Sequence, residues 1–458
     1  MKQSQRILAL TGTVGLVAAL AGCAGGDGGG ADIPEALTIW TFKQSQVAAL
    51  ETVGEAWTES SGMPVEVSVY TPDDTYNTKI KSAAKSDTLP DIVSVHSQTE
   101  EWQLAQAGII QDLTEDFDAD WQESFLPGVM AGVELTQEMI DNSGDDPSTT
   151  LNNLTAGHQY AVPYLAGTPG VVFARTSMLE EAGVDTAAPP ATWQEWVAAI
   201  EETVAHDPDN GGLVTGLQVP QTGYFWLYRP MAYAYLGADA FYGRQSEAAD
   251  PAWNSPESIE TLDLYNQLAD LWAPGVLALG IDQADQAFAS GSAAWNVGGT
   301  FTLSSLTTFG LSSDDVQVFP VPAAEGGAID RITYQASPLI SAAITSTTTH
   351  EEEALDFIRF LTSEEGAKIF ASSALDLPAT AIPAEDFTDP LLQQLVGLIS
   401  TDESDSAFAP NDFSADPAGT VPADTAVALT ELVAKTSTVQ QVADNLTATY
   451  AAAWQALR

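Results

Sequence analysis

Hydrophobic and polar positions follow two periods along the chain. Residues 37–42 (LTIWTF) form a short β-rich run, and 65–70 (VEVSVY) alternate strictly, which predicts two strands. Between them, large apolar residues recur at helical spacing and predict a helix over 46–60. A third strand is predicted over 91–96 (DIVSVH). Strands therefore alternate with helices, which favours an α/β fold with a parallel sheet and right-handed crossovers.

Later helices have recognisable starts. Thr192 and Thr349 are each followed three positions later by Glu, which predicts two capping boxes. Ser255 precedes Pro256, which predicts an N-cap followed by a proline in the first helical turn. No internal repeat of about 20 to 50 residues is visible, and this argues against solenoids and propellers.

The N-terminus has the pattern of an export signal. Lys2 and Arg6 precede an uncharged apolar stretch, residues 7–21. This stretch is shorter than the roughly 20 apolar residues of a membrane span, but its length suits a cleaved signal peptide. Residues 1–22 are therefore predicted to be removed from the mature protein.

The single cysteine stands directly after this stretch. The sequence 20–23, Leu-Ala-Gly-Cys, resembles the bacterial lipobox, in which the cysteine is acylated and becomes the first mature residue. Cys23 is therefore predicted to carry a lipid anchor, followed by a Gly-rich flexible tether over 23–36. An ordinary signal peptide with a chance cysteine is the alternative.

Composition limits the partners of the chain. Its 63 acidic and 14 basic residues give a formal net charge of −49, which repels nucleic acid and anionic polymers. The acids are scattered, which favours a role in solubility over a specific cation site. With 45% hydrophobic residues and 458 residues in all, the chain can bury a large core in two or three domains.

Catalytic and metal motifs are absent from the sequence. The four histidines are not paired at metal-ligand spacing, and no H-E-x-x-H, C-x-x-C or G-x-S-x-G motif occurs. We therefore predict no catalytic residue, no metal site and no cofactor. A pair of carboxylates for glycoside hydrolysis stays open, because abundant acids make such a pair uninformative.

Aromatic and small polar residues cluster at the predicted strand ends. In an open α/β sheet, ligands bind beyond the carboxyl ends of the strands. Flat aromatic faces beside hydrogen-bonding groups suit a sugar, although core packing is the alternative for each aromatic. The candidate ligand contacts are Trp40, Phe42, Lys43, His96, Ser97, Gln98, Tyr164, Tyr224, Trp226, Asn296, Phe301 and Gln335. Trp226, Phe301 and Tyr164 stand out because they lie next to chain breakers or in aromatic clusters.

Several motifs occur in an order that resembles one protein family. They are Leu-Pro-Asp before a hydrophobic strand, Ala-Val-Pro-Tyr, Ala-Thr-Trp-Gln-Glu-Trp, FASGSAAWNVGGTF and Phe-Leu-Thr-Ser-Glu-Glu-Gly. Together they are similar to the extracellular solute-binding proteins of ABC importers, in the large sugar-binding group that includes maltose-binding protein. The resemblance runs from about Leu37 to the C-terminal helix.

The resemblance implies a two-lobed periplasmic-binding-protein-like fold with a ligand cleft between the lobes. The first lobe would comprise 37–164 plus 301–333, and the second 165–300 plus 334–458. The hinge would cross at 163–167, 298–301 and 334–337.

The resemblance also implies site residues and a function. Trp40 to Lys43, His96 to Gln98, Tyr224, Trp226 and Phe301 match sugar-contacting positions of the family. Ser97 and Gly167 stand where relatives often have acids, and Phe408 or Phe413 would replace a missing stacking tryptophan.

The implied protein is a monomeric lipoprotein on the extracellular face of the membrane. It would capture a mono- or oligosaccharide and deliver it to the membrane permease of an ABC importer, without chemistry of its own. A non-sugar solute such as a peptide, polyamine or metal complex is the first alternative. A secreted glycan-degrading enzyme is the second.

Overall fold

Two β-sheets organise the part of the chain that the structure describes. This computed structural model describes residues 35–400 apart from 72, 145 and 147–149, together with 407–409, 417 and 421–458. Its strands are β1 (Leu37–Thr41), β2 (Val65–Val69), β3 (Ile92–His96), β4 (Val162–Gly167), β5 (Pro169–Arg175), β6 (Leu213–Val214), β7 (Trp295–Gly299), β8 (Val316–Pro320) and β9 (Ser337–Ile344). The α/β class predicted from the sequence is confirmed.

The first sheet has the strand order β2-β1-β3-β9-β4, and the second has the order β6-β7-β5-β8. In the first sheet, β1 is parallel to β2 and β3, whereas β9 is antiparallel to β3 and β4. In the second sheet, β5 is antiparallel to β7 and β8, and β6 is parallel to β7. We call each sheet with the helices that pack on it the first lobe and the second lobe.

Helices fill the connections between the strands. They are α1 (Val47–Ser61), α2 (Asp73–Lys85), α3 (Thr99–Gln106), α4 (Ala119–Gln122), α5 (Pro127–Val133), α6 (Gln137–Asn142), α7 (Thr176–Ala182), α8 (Trp193–His206), α9 (Arg229–Leu236), α10 (Ala238–Gly243), α11 (Pro256–Asn266), α12 (Ile281–Ala289), α13 (Thr302–Thr308), α14 (Glu351–Leu361), α15 (Glu364–Ala374), α16 (Pro390–Val396), α17 (Val421–Val433) and α18 (Val439–Ala456). A π-helical segment, Gly223–Tyr228, leads directly into α9. None of the described helices is both long and apolar enough to cross a membrane.

Local sequence signals explain where several helices begin and end. The predicted first helix is α1, and it ends at Gly62, whose φ of 74° is the left-handed conformation that glycine adopts without strain. The Thr192 and Ser255 side chains cap α8 and α11 as predicted, by accepting backbone N–H bonds. The cap predicted at Thr349 is wrong, because α14 begins two residues later and has no side-chain cap.

The predicted division of the chain between the lobes is wrong for two strands. Strand β8, in the segment 301–333 assigned to the first lobe, pairs with β5 in the second sheet. Strand β9, in the segment 334–458 assigned to the second lobe, lies between β3 and β4 in the first sheet. Pairing partners are set by long-range contacts, which the order of motifs along the chain does not show.

The chain changes sheets at or beside two of the three predicted crossings. It passes from β4 to β5 at Thr168, beside the predicted crossing at 163–167. The segment 298–301 is not a crossing, because the chain returns through α13 to β8 in the same sheet. The chain passes back to the first sheet between β8 and β9, a stretch that includes the predicted crossing at 334–337.

Candidate ligand-binding site

A cavity lies where strand ends from both sheets converge. Its volume is about 170 Å³, and its lining comes mostly from the first lobe, with Phe301 from the second. The lining residues are Lys43, Ser45, His96, Leu165, Phe301, Leu339, Ile340 and Asp376. Three of the predicted contacts, Lys43, His96 and Phe301, are thus brought together.

A larger groove of about 720 Å³ lies along β8, but its chemistry is less suited to a polar ligand. Its lining is dominated by proline, alanine and aliphatic side chains, with Asp330 and Arg331 as its charged residues. Its single aromatic, Phe319, is only 3% exposed and offers no ring face. Ligand pockets usually combine aromatic faces with a few convergent polar groups, so the smaller cavity is the better candidate.

On the first-lobe side, the His96 ring stacks on the Phe42 ring. The two ring centroids lie 4.3 Å apart, and Phe42 is 2% exposed. The His96 Nδ1 atom lies 2.9 Å from Glu100 Oε2, and the His96 side chain is 47% exposed. Phe42 therefore positions His96 and does not itself line the cavity.

Ser97 and Gln98 hold the turn after β3. The Ser97 hydroxyl is hydrogen-bonded to the Ser341 hydroxyl at 2.8 Å, and Gln98 Nε2 donates to the Gly132 carbonyl at 2.7 Å. Gln98 has a φ of 72°, an unusual conformation for a residue with a side chain. Both side chains bond to the protein, and neither lines the cavity.

A buried carboxyl group lies next to this turn. Glu101 is 1% exposed, and burial raises its pKa to about 8. The hydrogen bond from the Gln98 backbone N–H lowers the pKa, but by less than burial raises it. Its carboxyl group therefore stays mainly protonated at neutral pH.

On the second-lobe side, the Phe301 ring lines the cavity, and the Trp226 ring packs against Phe301. Phe301 and Trp226 are both partly exposed, and their rings meet edge to face with centroids 5.6 Å apart. A Cβ atom on Gly299 would lie 2.3 Å from Phe301 Cε1, so the Phe301 ring needs a glycine at this position. The Lys43 ammonium group reaches across from the first lobe to 6.0 Å from the Phe301 ring centroid.

Asp376 also lines the cavity, and sequence reasoning missed it together with Ser45. It follows Leu375, which has a φ of 52°, in the turn after α15. Burial raises the pKa of Asp376 to about 7, although the Leu377 N–H and the positive charge of Lys43 lower it. The only local signal was one acid in the apolar stretch ASSALDLPATAIP (371–383). Asp376 is the one carboxyl side chain among the residues that line the cavity.

Three predicted contacts are core residues, which corrects the sequence interpretation. Tyr164, Tyr224 and Asn296 are 3%, 0% and 0% exposed. Burial raises the pKa of Tyr164, and its hydroxyl bonds to Ser94 and Gln46. The two tyrosine rings fill the core, and Asn296 lies on a strand whose residues are all buried.

Asn296 contacts a third buried carboxyl group, that of Asp285. Its Nδ2 atom donates to Asp285 Oδ1 at 2.7 Å, and burial raises the pKa of Asp285 to about 7. This pair lies in the second lobe and does not line the cavity.

The remaining candidates also lie outside the cavity. Trp40 packs on Tyr70 with centroids 4.6 Å apart, below the Lys79 ammonium group. The Gln335 backbone N–H donates to the Phe408 carbonyl, and the Phe408 ring is fully buried, so it cannot stack on a ligand here. Phe413 and Cys23 lie outside the described residues.

These features define a class of protein. The site lies between two α/β lobes, and the described residues contain no group of three or more histidine, cysteine or carboxylate side chains able to hold a metal ion. A cavity lined from both lobes at their strand ends is the arrangement of a two-lobed binding protein.

Sequence comparison identifies the family. Residues 43–368 match the model of the bacterial extracellular solute-binding protein family, and the chain belongs to that family. The family relationship predicted from the sequence is confirmed. Comparison with curated proteins returned no significant match.

Solved structures share the fold at low sequence identity. A cyclic α-maltosyl-1,6-maltose binding protein from Arthrobacter globiformis is 20% identical, with a TM-score of 0.58 over 92% of this chain and 99% of that chain. A chitin oligosaccharide binding protein is 18% identical, with a TM-score of 0.61 over 92% and 99%. The GacH receptor of Streptomyces glaucescens, solved with acarbose, is 16% identical, with a TM-score of 0.59 over 93% and 99%.

Proposed function

We propose that this protein captures a carbohydrate in the cavity between its lobes and delivers it to the permease of an ABC importer. The observation that carries the proposal is a partly exposed aromatic ring, Phe301, that lines the cavity together with the polar groups of Lys43 and Asp376. The apolar C–H face of a sugar ring packs on aromatic rings, and its hydroxyl rim needs donors and acceptors. The names of the similar structures, which include chitin oligosaccharide and maltosyl-maltose binding proteins, support this class of cargo.

The position of the cavity supports a transport mechanism. Lys43 and His96 come from the first lobe, whereas Phe301 comes from the second. A sugar that contacts both lobes binds the closed arrangement more tightly and shifts the population toward it. A permease that recognises this closed arrangement would then distinguish loaded from empty protein.

The remaining parts of the proposal concern location and assembly. We propose that the protein is a monomer held on the extracellular face of the membrane by a lipid on Cys23. The sequence of residues 20–23 supports the anchor, and the extracellular family supports export.

A thermal-shift experiment tests the proposed cargo. The chain from Ala36 onward forms one compact unit, and it would be screened with D-glucose, D-xylose, maltose, xylobiose, N,N′-diacetylchitobiose, putrescine and a tripeptide. A sugar at a hundred times its dissociation constant adds about 2.7 kcal/mol to the free energy of unfolding. A shift with putrescine or the tripeptide alone would contradict a carbohydrate cargo.

Two phenylalanine variants make the site assignment specific. Phe301→Ala removes a ring that lines the cavity, whereas Phe309→Ala removes one that is 40% exposed and outside it. We expect Phe301→Ala to weaken sugar binding about 10-fold or more, since an aromatic contact contributes about 0.5–1.5 kcal/mol beyond its buried area. Phe309→Ala should bind like the wild type, and equal binding by both variants would refute the site.

A further inference from the structure

One polar group of the cavity has an incomplete set of hydrogen bonds. Asp376 is 2% exposed, and its Oδ1 atom accepts the Leu377 backbone N–H at 2.9 Å. No described residue donates a hydrogen bond to its second oxygen, Oδ2, and none forms an ion pair with it. A buried carboxylate with an unpaired oxygen is costly, so a partner supplied by a ligand would stabilise it.

Lys43 offers the complementary donor at the same cavity. Its ammonium group forms no hydrogen bond or ion pair with a residue of the described chain, although it is close enough to lower the pKa of Asp376. Asp376 therefore presents an acceptor and Lys43 a donor to one small space of about 170 Å³. Adjacent hydroxyl groups of a sugar, each able to donate and accept, match this pair.

We propose that Asp376 is a specificity-determining residue that accepts a hydrogen bond from a hydroxyl of a neutral sugar ring, while Lys43 donates to a neighbouring hydroxyl. This inference rests on the proposed function and narrows its cargo class. The two groups select an uncharged ring with vicinal hydroxyls, and the Phe301 ring covers one of its faces. An acidic sugar is disfavoured, because its carboxylate would lie beside Asp376 in a protein of net charge −49.

The ionisation of Asp376 gives the proposal a measurable signature. Its charged form accepts from a hydroxyl, so sugar affinity should fall when the pH drops below the Asp376 pKa of about 7. For a single group with this pKa, the expected loss between pH 8 and pH 5.5 is about 30-fold. Lys43 and His96 share the cavity with Asp376, the charge of Asp376 raises the pKa of Tyr164, and the charge of Lys43 lowers the pKa of Asp285. Burial raises the pKa of Asp285 to about 7, and His96 is the imidazole of the cavity, so variants at both positions separate their contributions from that of Asp376.

The test measures affinity by calorimetry at pH 8 and pH 5.5. The probes are D-glucose, D-xylose, maltose, xylobiose, N,N′-diacetylchitobiose and D-glucuronate, and the proteins are the wild type, Asp376→Asn, His96→Gln, Asp285→Asn and Glu101→Gln. We expect Asp376→Asn to weaken binding of a neutral sugar about 10- to 100-fold at pH 8 and to abolish most of its pH dependence, since hydrogen bonds to charged groups are the strong ones. Glu101→Gln is the control, because it alters a buried carboxyl group that does not line the cavity.

The outcomes separate this inference from the proposed function. Sugar binding by the wild type together with unchanged affinity in Asp376→Asn, or with a flat wild-type pH profile, would overturn the role of Asp376 alone. The wild-type pH profile gives this answer even if Asp376→Asn does not fold. Tighter binding of D-glucuronate than of any neutral sugar would also overturn it. Absence of binding to every sugar would overturn the carbohydrate cargo and the role of Asp376 together.

Discussion

Asp91, the acid of the Leu-Pro-Asp motif, connects distant segments of the first lobe. Its Oδ2 atom accepts from the Thr38 backbone N–H at 2.8 Å and from the Thr38 hydroxyl at 2.7 Å. Its Oδ1 atom accepts from the Thr348 hydroxyl at 2.6 Å and lies 3.1 Å from His350 Nδ1. One carboxylate thus joins β1 to the turn that follows β9.

The substitution Asp91→Asn should destabilise the fold at neutral pH. The amide keeps one acceptor oxygen but carries no negative charge, so charge-assisted hydrogen bonds are replaced by weaker neutral ones at a residue that is 8% exposed. Hydrogen bonds to a charged group contribute about 1.5–3 kcal/mol, and we expect a loss of about 2–4 kcal/mol in the free energy of unfolding.

The stability difference between the wild type and Asp91→Asn should depend on pH. Burial raises the pKa of Asp91, but hydrogen bonds from Thr348, Thr38 and His350 outweigh it, and the pKa lies below its ordinary value of 3.8. A lowered pKa contributes stability that is present above pH 3.8 and is lost as the pH falls through the folded-state pKa. The difference between wild type and Asp91→Asn should therefore be largest at pH 7 and shrink in strong acid.

Urea unfolding followed by circular dichroism at pH 7, 4 and 2.5 measures this difference. Asp120→Asn, at an exposed position on α4, is the matched control and should change stability by less than about 0.5 kcal/mol. If Asp91→Asn were as stable as the control at pH 7, or if its deficit were the same at all three pH values, the assignment of Asp91 as a charged junction would be refuted.

Two further predictions concern the site and the anchor. Gly299→Ala places a Cβ atom 2.3 Å from the Phe301 ring and 2.9 Å from the Thr168 carbonyl oxygen, so it should displace the ring. Calorimetry should then show sugar binding weakened by at least as much as in Phe301→Ala. Unchanged affinity would show that the position of the ring is unimportant. Cys23→Ser should abolish incorporation of labelled palmitate in bacteria and release the protein from the membrane fraction; a membrane-bound, unlabelled variant would contradict the lipid anchor.

Part of the site could be predicted from sequence because it follows directly from strand ends. Lys43, His96 and Phe301 lie at or just after the ends of predicted strands, where ligands of α/β proteins bind. Tyr164 and Tyr224 fail as predictions because an aromatic next to a chain breaker can face either the cleft or the core, and only packing decides. Asp376 comes from a turn more than 300 positions beyond Lys43, and no local pattern connects the two.

The same limit explains the misplaced strands. The alternation of apolar residues in β8 and the apolar run of β9 identify them as strands, but not the sheet to which each belongs. Edge pairing of β8 with β5, and insertion of β9 between β3 and β4, depend on the whole fold.

Capture of an intact sugar between the two lobes is the central claim, and a calorimetric titration tests it most directly. The chain from Ala36 onward would be titrated with each neutral sugar of the panel, and each mixture would be analysed by thin-layer chromatography. We predict saturable binding of one sugar class with one site per chain, and recovery of the sugar unchanged. Cleavage of the sugar, or no binding of any sugar at millimolar concentration, would contradict the account.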